Sequence, residues 1–332
     1  MRAMILRRPA PSAAEPLALQ DMPRPAAGPG EILLRVRACG VCHTDLHIVE
    51  GELPPQKTPL IPGHQVVGVV EEVGPGVTRF APGNRAGVPW VYASCGSCEA
   101  CRAERENLCE QITFTGYHVD GGYADYMVAK AAYVYRIPDR FDDLSAAPLL
   151  CAGIIGYRSL RLCEIRPGGR LGLFGFGASA HLAIQVARHW GCEVFVATRS
   201  EDHRRLARDL GAVWAGSADD RPPVPLDSAV VFAPSGRAAV AALGCLRRGG
   251  TLAINAIHLD RVPAFDYDLL YWERTIRSVS NSTRKDAEEF LALAAAIPIK
   301  THPVAYRLEQ ANQVLADLKE GRISGAAVLT LR

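Results

Sequence analysis

The chain has no apolar run long enough to cross a bilayer, no block of basic residues, no internal repeat and no low-complexity tract. Its longest apolar stretches, such as LALAAAIPI at 291–299, fall far short of the roughly 20 residues a span needs. A membrane is therefore not an expected partner. The formal net charge is +2 with no Lys/Arg run, which leaves no polyanion-binding surface, so nucleic acid is not expected either. The N-terminus MRAMILRRPAPSAAEP carries basic residues but lacks the apolar core of a signal peptide. A mature, soluble, cytoplasmic protein is the expectation.

What is present is size, apolar content and cysteine. At 332 residues the chain is long for one domain and suits two, and with 48% hydrophobic residues it can bury a large core. The first part reads as β-rich: EILLRVRACGV (31–41), QVVGVVEEVG (65–74), YADYMVAK and YVYRIP are strand-like, with frequent Gly and Pro between them. Near Pro148 the texture changes. Helical CAGIIGYRSLRL (151–162) is followed by an alternation of strands and helices. The strands are LGLF, EVFVATRS, SAVVFAP, TLAINA and TIRSVS, and the helices are ASAHLAIQVARHWG and DHRRLARDLGA. Such alternation implies a doubly wound parallel sheet, so the fold class is α/β. HPVAYRL, EQANQVLADLKEG and GAAVLTL then read as strand, helix and strand returning to the first domain, and RPPVP (221–225) as a loop. The expected boundaries are 1–150 with a return at 285–332, and 151–284.

Ten cysteines in a chain expected in a reducing compartment argue for metal where they cluster. CGSCEACRAERENLC sets Cys95, Cys98, Cys101 and Cys109 in a C-x2-C-x2-C-x7-C array. Four thiolates with no open position suit a structural zinc. An iron–sulfur cluster competes, because short Cys spacings serve clusters too. Four unliganded thiols or two disulfides are the plain alternative. Cys39, Cys163, Cys192 and Cys245 read as packed thiols.

A second set is dispersed. Cys42 lies in CHTDLH just after a strand, His64 in GHQVV, and Cys151 at the change of texture. Singly, each is as well explained as a core residue. Together they offer Cys, His and Cys, the pattern of a catalytic zinc with one position left for water or substrate. In the second half, GFGASA (175–180) follows a strand and opens a helix, the context of a dinucleotide fingerprint. Gly175 permits the tight turn, Gly177 close approach to the pyrophosphate, and Ala180 stands for the third glycine. The next strand ends in Ala197-Thr198-Arg199-Ser200, with no acid before Glu201. Thr198 stands where a carboxylate would hold the ribose of NAD. A hydroxyl followed by Arg fits a 2′-phosphate, so NADP(H) is favoured. The alternative is that Arg199 stacks on adenine or faces solvent.

GVCHTDLH, GH-x-VVG, the four-cysteine segment, LCAGIIGY and FGFGASA occur in the order found in zinc-dependent alcohol dehydrogenases of the medium-chain dehydrogenase/reductase superfamily, which the whole chain resembles. The resemblance implies a GroES-like catalytic domain, a Rossmann coenzyme domain, two Zn2+ per subunit and a homodimer or homotetramer. It implies Cys42, His64 and Cys151 as catalytic-zinc ligands and Cys95, Cys98, Cys101 and Cys109 as structural-zinc ligands. Thr44 matches the hydroxyl that bonds the substrate oxygen, and His47 the imidazole that relays the proton to solvent. His43 matches a residue near the pyrophosphate, and Asp45 the carboxylate behind the ligand His. Without the resemblance, Thr44 would read as an N-cap and His47 as a surface residue. Trp90, Leu53 and Ile155 are implied as the pocket wall, which favours a small apolar alcohol or aldehyde. The implied reaction is reversible hydride transfer between a primary alcohol and a nicotinamide coenzyme. Reduction of C=C or C=N bonds on the same scaffold, and a zinc-stabilised structural protein without activity, are the alternatives.

Two positions depart from the family pattern. Gly325 is followed by Ala326 where relatives often place an Arg for the pyrophosphate, with Arg322 nearby in sequence. Gln65 replaces the usual Glu behind the zinc, which removes a negative charge and blocks carboxylate exchange onto the metal. Gln65→Glu is accordingly expected to shift the turnover rate and its pH profile; identical rates and profiles for the two proteins would remove Gln65 from any tuning role.

Overall fold

The computed structural model describes residues 1–323 and 325–331. The chain opens with an antiparallel hairpin, β1 (Arg2–Leu6) and β2 (Leu17–Asp21). Strand β3 (Glu31–Val41) leads into helix α1 (His43–Glu50), and β4 (Gln65–Val73), β5 (Arg85–Val88) and β6 (Val91–Ala93) follow. A short helix α2 (Glu99–Arg102) precedes β7 (Thr113–Phe114), β8 (Tyr126–Lys130), β9 (Tyr135–Arg136) and α3 (Asp143–Ala146). The alternating part then runs α4 (Ala152–Leu162), β10 (Arg170–Phe174), α5 (Ala178–His189), β11 (Glu193–Ala197), α6 (Glu201–Asp209) and β12 (Trp214–Gly216). It continues with β13 (Leu226–Val231), α7 (Gly236–Cys245), β14 (Leu246–Ile254), α8 (Asp268–Tyr271) and β15 (Thr275–Ser278). Helix α9 (Arg284–Ala296), β16 (Pro303–Arg307), α10 (Ala311–Lys319) and β17 (Ala326–Thr330) complete the described chain.

Two compact units result: Met1–Cys151 with Asn281–Arg332, and Ala152–Ser280. Cys151 thus falls with the first unit, not at the head of the second, and the return begins at Asn281, a few residues before position 285. In the first unit the sheet order is β16-β17-β3-β4-β5-β9, with β8 also on β3. The eleven-residue β3 is the hub, because β17, β4 and β8 all pair with it antiparallel. Its apolar run Ile32, Leu33 and Leu34 is fully buried. The second unit is a parallel sheet in the order β12-β11-β10-β13-β14-β15. The chain runs outward from β10 to β12 and restarts at β13 on the other side of β10. The β10–β13 edge is therefore the switch point where such sheets form a crevice. The largely apolar strands β10, β11 and β13 are almost wholly buried, as strands covered on both faces should be.

Several elements carry no clear sequence signal. The β1–β2 hairpin, α7 and α9 lie in segments whose periodicity is weak, and tertiary packing decides them. Helix α9 starts from a strong local cap: the Thr283 hydroxyl accepts from the Asp286 amide (3.1 Å), and the Asp286 carboxylate accepts from the Thr283 amide (2.9 Å). Just beside it, the buried Glu106 carboxylate accepts from the Arg284 amide (2.7 Å) and Nε (3.3 Å), fixing the four-cysteine segment to the return.

Glycine is required immediately before His64. Gly63 has φ +99°, and a Cβ there would stand 2.4 Å from Cδ1 of buried Tyr123 and 2.8 Å from Cys39 Sγ. Left-handed strain and overpacking act together, so Gly63→Ala is expected to destabilise the protein by about 3 kcal/mol. Urea titration of the two proteins checks this, and an unchanged midpoint would show that the turn can relax.

Candidate active site

The end of β3 and the start of β4 lie side by side, with Gly40 opposite Gln65 in the antiparallel register. This brings Cys42 and His64 together across neighbouring strands. His64 Nε2 lies 3.3 Å from Cys42 Sγ, and the donor atoms of Cys42, His64 and Cys151 all fall within 4.8 Å of one another. Tetrahedral sulfur and nitrogen ligands on zinc are about 3.6 Å apart. The three donors thus fit one zinc-sized ion and account for three of its four tetrahedral positions.

Asp45 fixes this geometry. It sits on the first turn of α1 and is fully buried. Its carboxylate accepts from the Cys42 amide (2.9 Å), the Gly63 amide (3.2 Å) and His64 Nδ1 (3.0 Å). The last contact turns Nε2 of His64 towards the two cysteines. Within the cluster the Cys42 thiol is held well below its ordinary pKa, chiefly by hydrogen bonding with Cys151 against the cost of burial, with His64 assisting.

Helix α1 carries the other expected residues. His43 and His47 are one helical turn apart, with ring centroids separated by 6.4 Å, and Thr44 is half-buried between them. His47 Nδ1 is bonded to the Glu52 carboxylate just past the helix. Sequence reasoning missed Glu52, since nothing in EGELP marks a partner for His47. Gln65 is 3% exposed, with its side-chain amide packed over Gly40. Trp90 meets His64 edge-on at 4.8 Å and stacks on Phe114 at 4.7 Å, while its Nε1 donates to Asn281 Oδ1 (3.1 Å). Phe114 and Tyr117 therefore extend the aromatic surface that begins with Trp90, and Asn281 holds the indole N–H. Leu53 packs partly buried against the first unit's core. Ile155 belongs to the second unit, on α4, where its carbonyl accepts from Ser159 Oγ.

The sulfurs of Cys95, Cys98, Cys101 and Cys109 also lie within 4.8 Å of one another, and Cys95 Sγ and Cys101 Sγ are 3.8 Å apart. That matches the separation of about 3.8 Å for two thiolates on one tetrahedral zinc. Backbone amides point at the sulfurs: Cys98 N to Cys95 Sγ (3.3 Å), Cys101 N to Cys98 Sγ (3.5 Å) and Cys95 N to Cys109 Sγ (3.5 Å). Amide donation from Ser97 and Cys98 brings the Cys95 thiol down to about 6, which favours the thiolate. Of the remaining cysteines, Cys39, Cys163 and Cys192 are buried, and Cys245 is half-buried against the second unit's core.

In the second unit, the turn after β10 has the form a dinucleotide requires. Gly175 has φ +88°, and a Cβ there would meet Ala233 N at 2.7 Å, where β13 ends. Gly177 precedes α5, and a Cβ on it would meet nothing within 4 Å, so the space in front of the helix is open. No side chain caps α5, and its N-terminal amides are left for an anion. Ala180 is fully buried on that helix. Beyond β11, Thr198 is 6% exposed and Arg199 is exposed. Arg322 is bound to Asp317 (2.9 Å through Nε) and to Glu320 at the end of α10.

A β-rich unit holding thiolate and imidazole donors, followed by a doubly wound unit with an open glycine turn, defines a metal-dependent dehydrogenase architecture. Comparison with known proteins agrees. A family model described as "Alcohol dehydrogenase GroES-like domain" matches residues 28–139, and one described as "Zinc-binding dehydrogenase" matches residues 178–296. The chain is 50% identical to "Probable alcohol dehydrogenase AdhA" of Mycobacterium tuberculosis (strain CDC 1551 / Oshkosh), covering 100% of this chain and 97% of that protein. Among solved structures, an NAD-dependent alcohol dehydrogenase superposes with TM-score 0.91 at 26% identity, covering 100% of both chains. CAD from Helicobacter pylori, complexed with NADP(H), superposes with TM-score 0.87 at 26% identity, covering 99% of both chains. The chain belongs to the zinc-type alcohol dehydrogenases of the medium-chain dehydrogenase/reductase superfamily.

Replacing Asp45 by Asn removes the charge that holds His64 while keeping the shape. Metal retention by the Cys42–His64–Cys151 cluster is expected to fall about 10- to 100-fold, read by competition with a chromophoric chelator. Equal retention in Asp45→Asn and the parent would show that the backbone alone positions His64.

Proposed function

We propose that this protein is a zinc-dependent alcohol dehydrogenase and aldehyde reductase that uses NADP(H) in preference to NAD(H), with two Zn2+ per subunit. The observation that carries the reading is the Cys42–His64–Cys151 cluster with Asp45 buried behind its imidazole. When bound, zinc supplies Lewis-acid polarisation of the substrate oxygen and the coenzyme supplies or accepts the hydride. Cys42, His64 and Cys151 would hold the catalytic ion. Cys95, Cys98, Cys101 and Cys109 would hold the structural one. The close approach of those four sulfurs suits a single ion better than an iron–sulfur cluster, whose cysteines reach separate irons.

The chain's own residues do the rest. Thr44 offers a hydroxyl to the substrate oxygen, and His47, one turn along α1, takes the proton onward. Trp90 beside His64, with Leu53, offers an apolar wall for a small uncharged alcohol or aldehyde. Gly175, Gly177 and Ala180 shape the turn that takes the pyrophosphate, with His43 as a further contact. Thr198 and Arg199 receive the 2′-phosphate, the hydroxyl as donor and the guanidinium as charge. Gln65 leaves the metal's surroundings neutral on that side. Free thiols throughout suit a reducing cytoplasm, and among the described residues no helix is long and apolar enough to cross a membrane. Self-association as a homodimer or homotetramer accords with the exposed edge strand β15, where Ile276 is exposed.

Zinc-replete protein is expected to contain two zinc ions per chain. It should oxidise NADPH faster than NADH, at equal low concentration, in the presence of aliphatic or aromatic aldehydes. Coenzyme absorbance across an aldehyde panel reads this directly. Failure with both coenzymes in fully loaded protein would move the assignment to C=N or C=C substrates, and equal use of the two coenzymes would remove the NADP(H) preference alone.

A further inference from the structure

The turn that follows β11 is closed by a residue outside the Thr198-Arg199 pair. Arg204, on the first turns of α6, reaches back over the turn. Its Nη1 donates to the carbonyls of Thr198 (2.8 Å) and Arg199 (3.0 Å). Its Nε and Nη2 donate to Glu201 Oε2 (2.9 and 2.7 Å). The Arg204 side chain is only 18% exposed, against 58% for Glu201, so the guanidinium is sheltered over the turn while its carboxylate partner faces solvent. Arg208 approaches the other Glu201 oxygen through Nη1 (3.4 Å) while its Nη2 donates to the Ala215 carbonyl (3.0 Å).

Two consequences follow for a ribose placed at the end of β11. Glu201 is the first carboxylate after the strand, and both its oxygens face guanidinium groups, so it is not free to accept from a 2′-hydroxyl. Its pKa is lowered accordingly, Arg204 being the first cause. The next acid, Asp202, pairs with Arg205. Among the described residues Arg199 has no acidic partner, so its charge stays available. A neutralised acid, an unneutralised Arg and carbonyls already bonded to Arg204 together favour a phosphate over a hydroxyl.

We propose that Arg204 is a positioning residue for coenzyme selection: by clamping the Thr198 and Arg199 carbonyls and occupying Glu201, it keeps the turn receptive to a 2′-phosphate. This rests on the NADP(H) reading above. Without Arg204 the Glu201 carboxylate is released beside Arg199, where it can pair with the guanidinium and repel phosphate.

The test is calorimetric titration of the zinc-replete full chain with 2′,5′-ADP and with 5′-AMP, which needs no turnover. The parent protein should bind 2′,5′-ADP more tightly. In Arg204→Met the preference should fall about five- to tenfold, through weaker 2′,5′-ADP binding with no loss of 5′-AMP affinity. The Arg204→Met/Glu201→Gln double variant should recover most of the preference. Steady-state kinetics should show a raised KM for NADPH without a rise in the KM for NADH. A parent with no preference for 2′,5′-ADP would overturn the NADP(H) reading and this inference with it. A parent with the preference, retained in Arg204→Met or lost equally for both nucleotides, would overturn the role of Arg204 alone. Should Arg204→Met not fold, Arg204→Lys keeps a charge but not the fork; it should lose part of the preference, and an undiminished preference there would count against the clamp.

Discussion

The Cys42–His64 half of the metal cluster is held by one buried carboxylate. Asp45 reinforces the meeting that the β3–β4 register sets up: it bonds the end of β3 through the Cys42 amide, the loop before β4 through the Gly63 amide, and the His64 ring. An unpaired buried carboxylate is costly, and here three donors offset that cost. The same three bonds set which imidazole nitrogen faces the cysteines. Gly63 is what lets the backbone come close enough, since any Cβ would collide with Tyr123. The placement of Cys42 and His64 thus rests on the β3–β4 register and on the three donors that satisfy Asp45.

Much of this was readable from the sequence, for reasons that differ from element to element. The core strands β3 and β4 and the helices α4 and α5 have strong, long periodic signals. The cysteine spacing of the 95–109 segment is local, so its convergence follows from chain geometry. Cys42, His64 and Cys151 are far apart in sequence, and only their joint match to a family pattern brought them together; the antiparallel register supplies the physical reason. The partners were not legible. Glu52 on His47, Asn281 on Trp90 and Glu106 on Arg284 are contacts whose geometry depends on tertiary placement. The boundary at Cys151 shows the same limit. Sequence texture changes near Pro148, but packing assigns Cys151 to the first unit.

The coenzyme turn shows how a short motif depends on its support. Thr198-Arg199 is two residues, and two residues of that kind occur in many loops. What gives the pair meaning is a strand that ends there, a hydroxyl cap by Ser200 on the His203 amide (3.3 Å), and α6 running away from it. Gly175 has comparable support, since its close approach to Ala233 joins the turn to the neighbouring strand at the switch point of the sheet. In both cases the residues expected to touch coenzyme are held by others that do not.

The first unit is discontinuous in the chain, and this has a consequence for its biosynthesis. Strand β3, the hub of the sheet, takes β17 as a neighbour, and β17 ends at Thr330. During translation the cysteines and His64 emerge early, while the strand that completes their sheet emerges last. The intervening unit, Ala152–Ser280, has its whole parallel sheet available sooner and can close while the first still exposes an unpaired edge. On the ribosome, β3 therefore keeps one edge unpaired until the residues of β17 emerge.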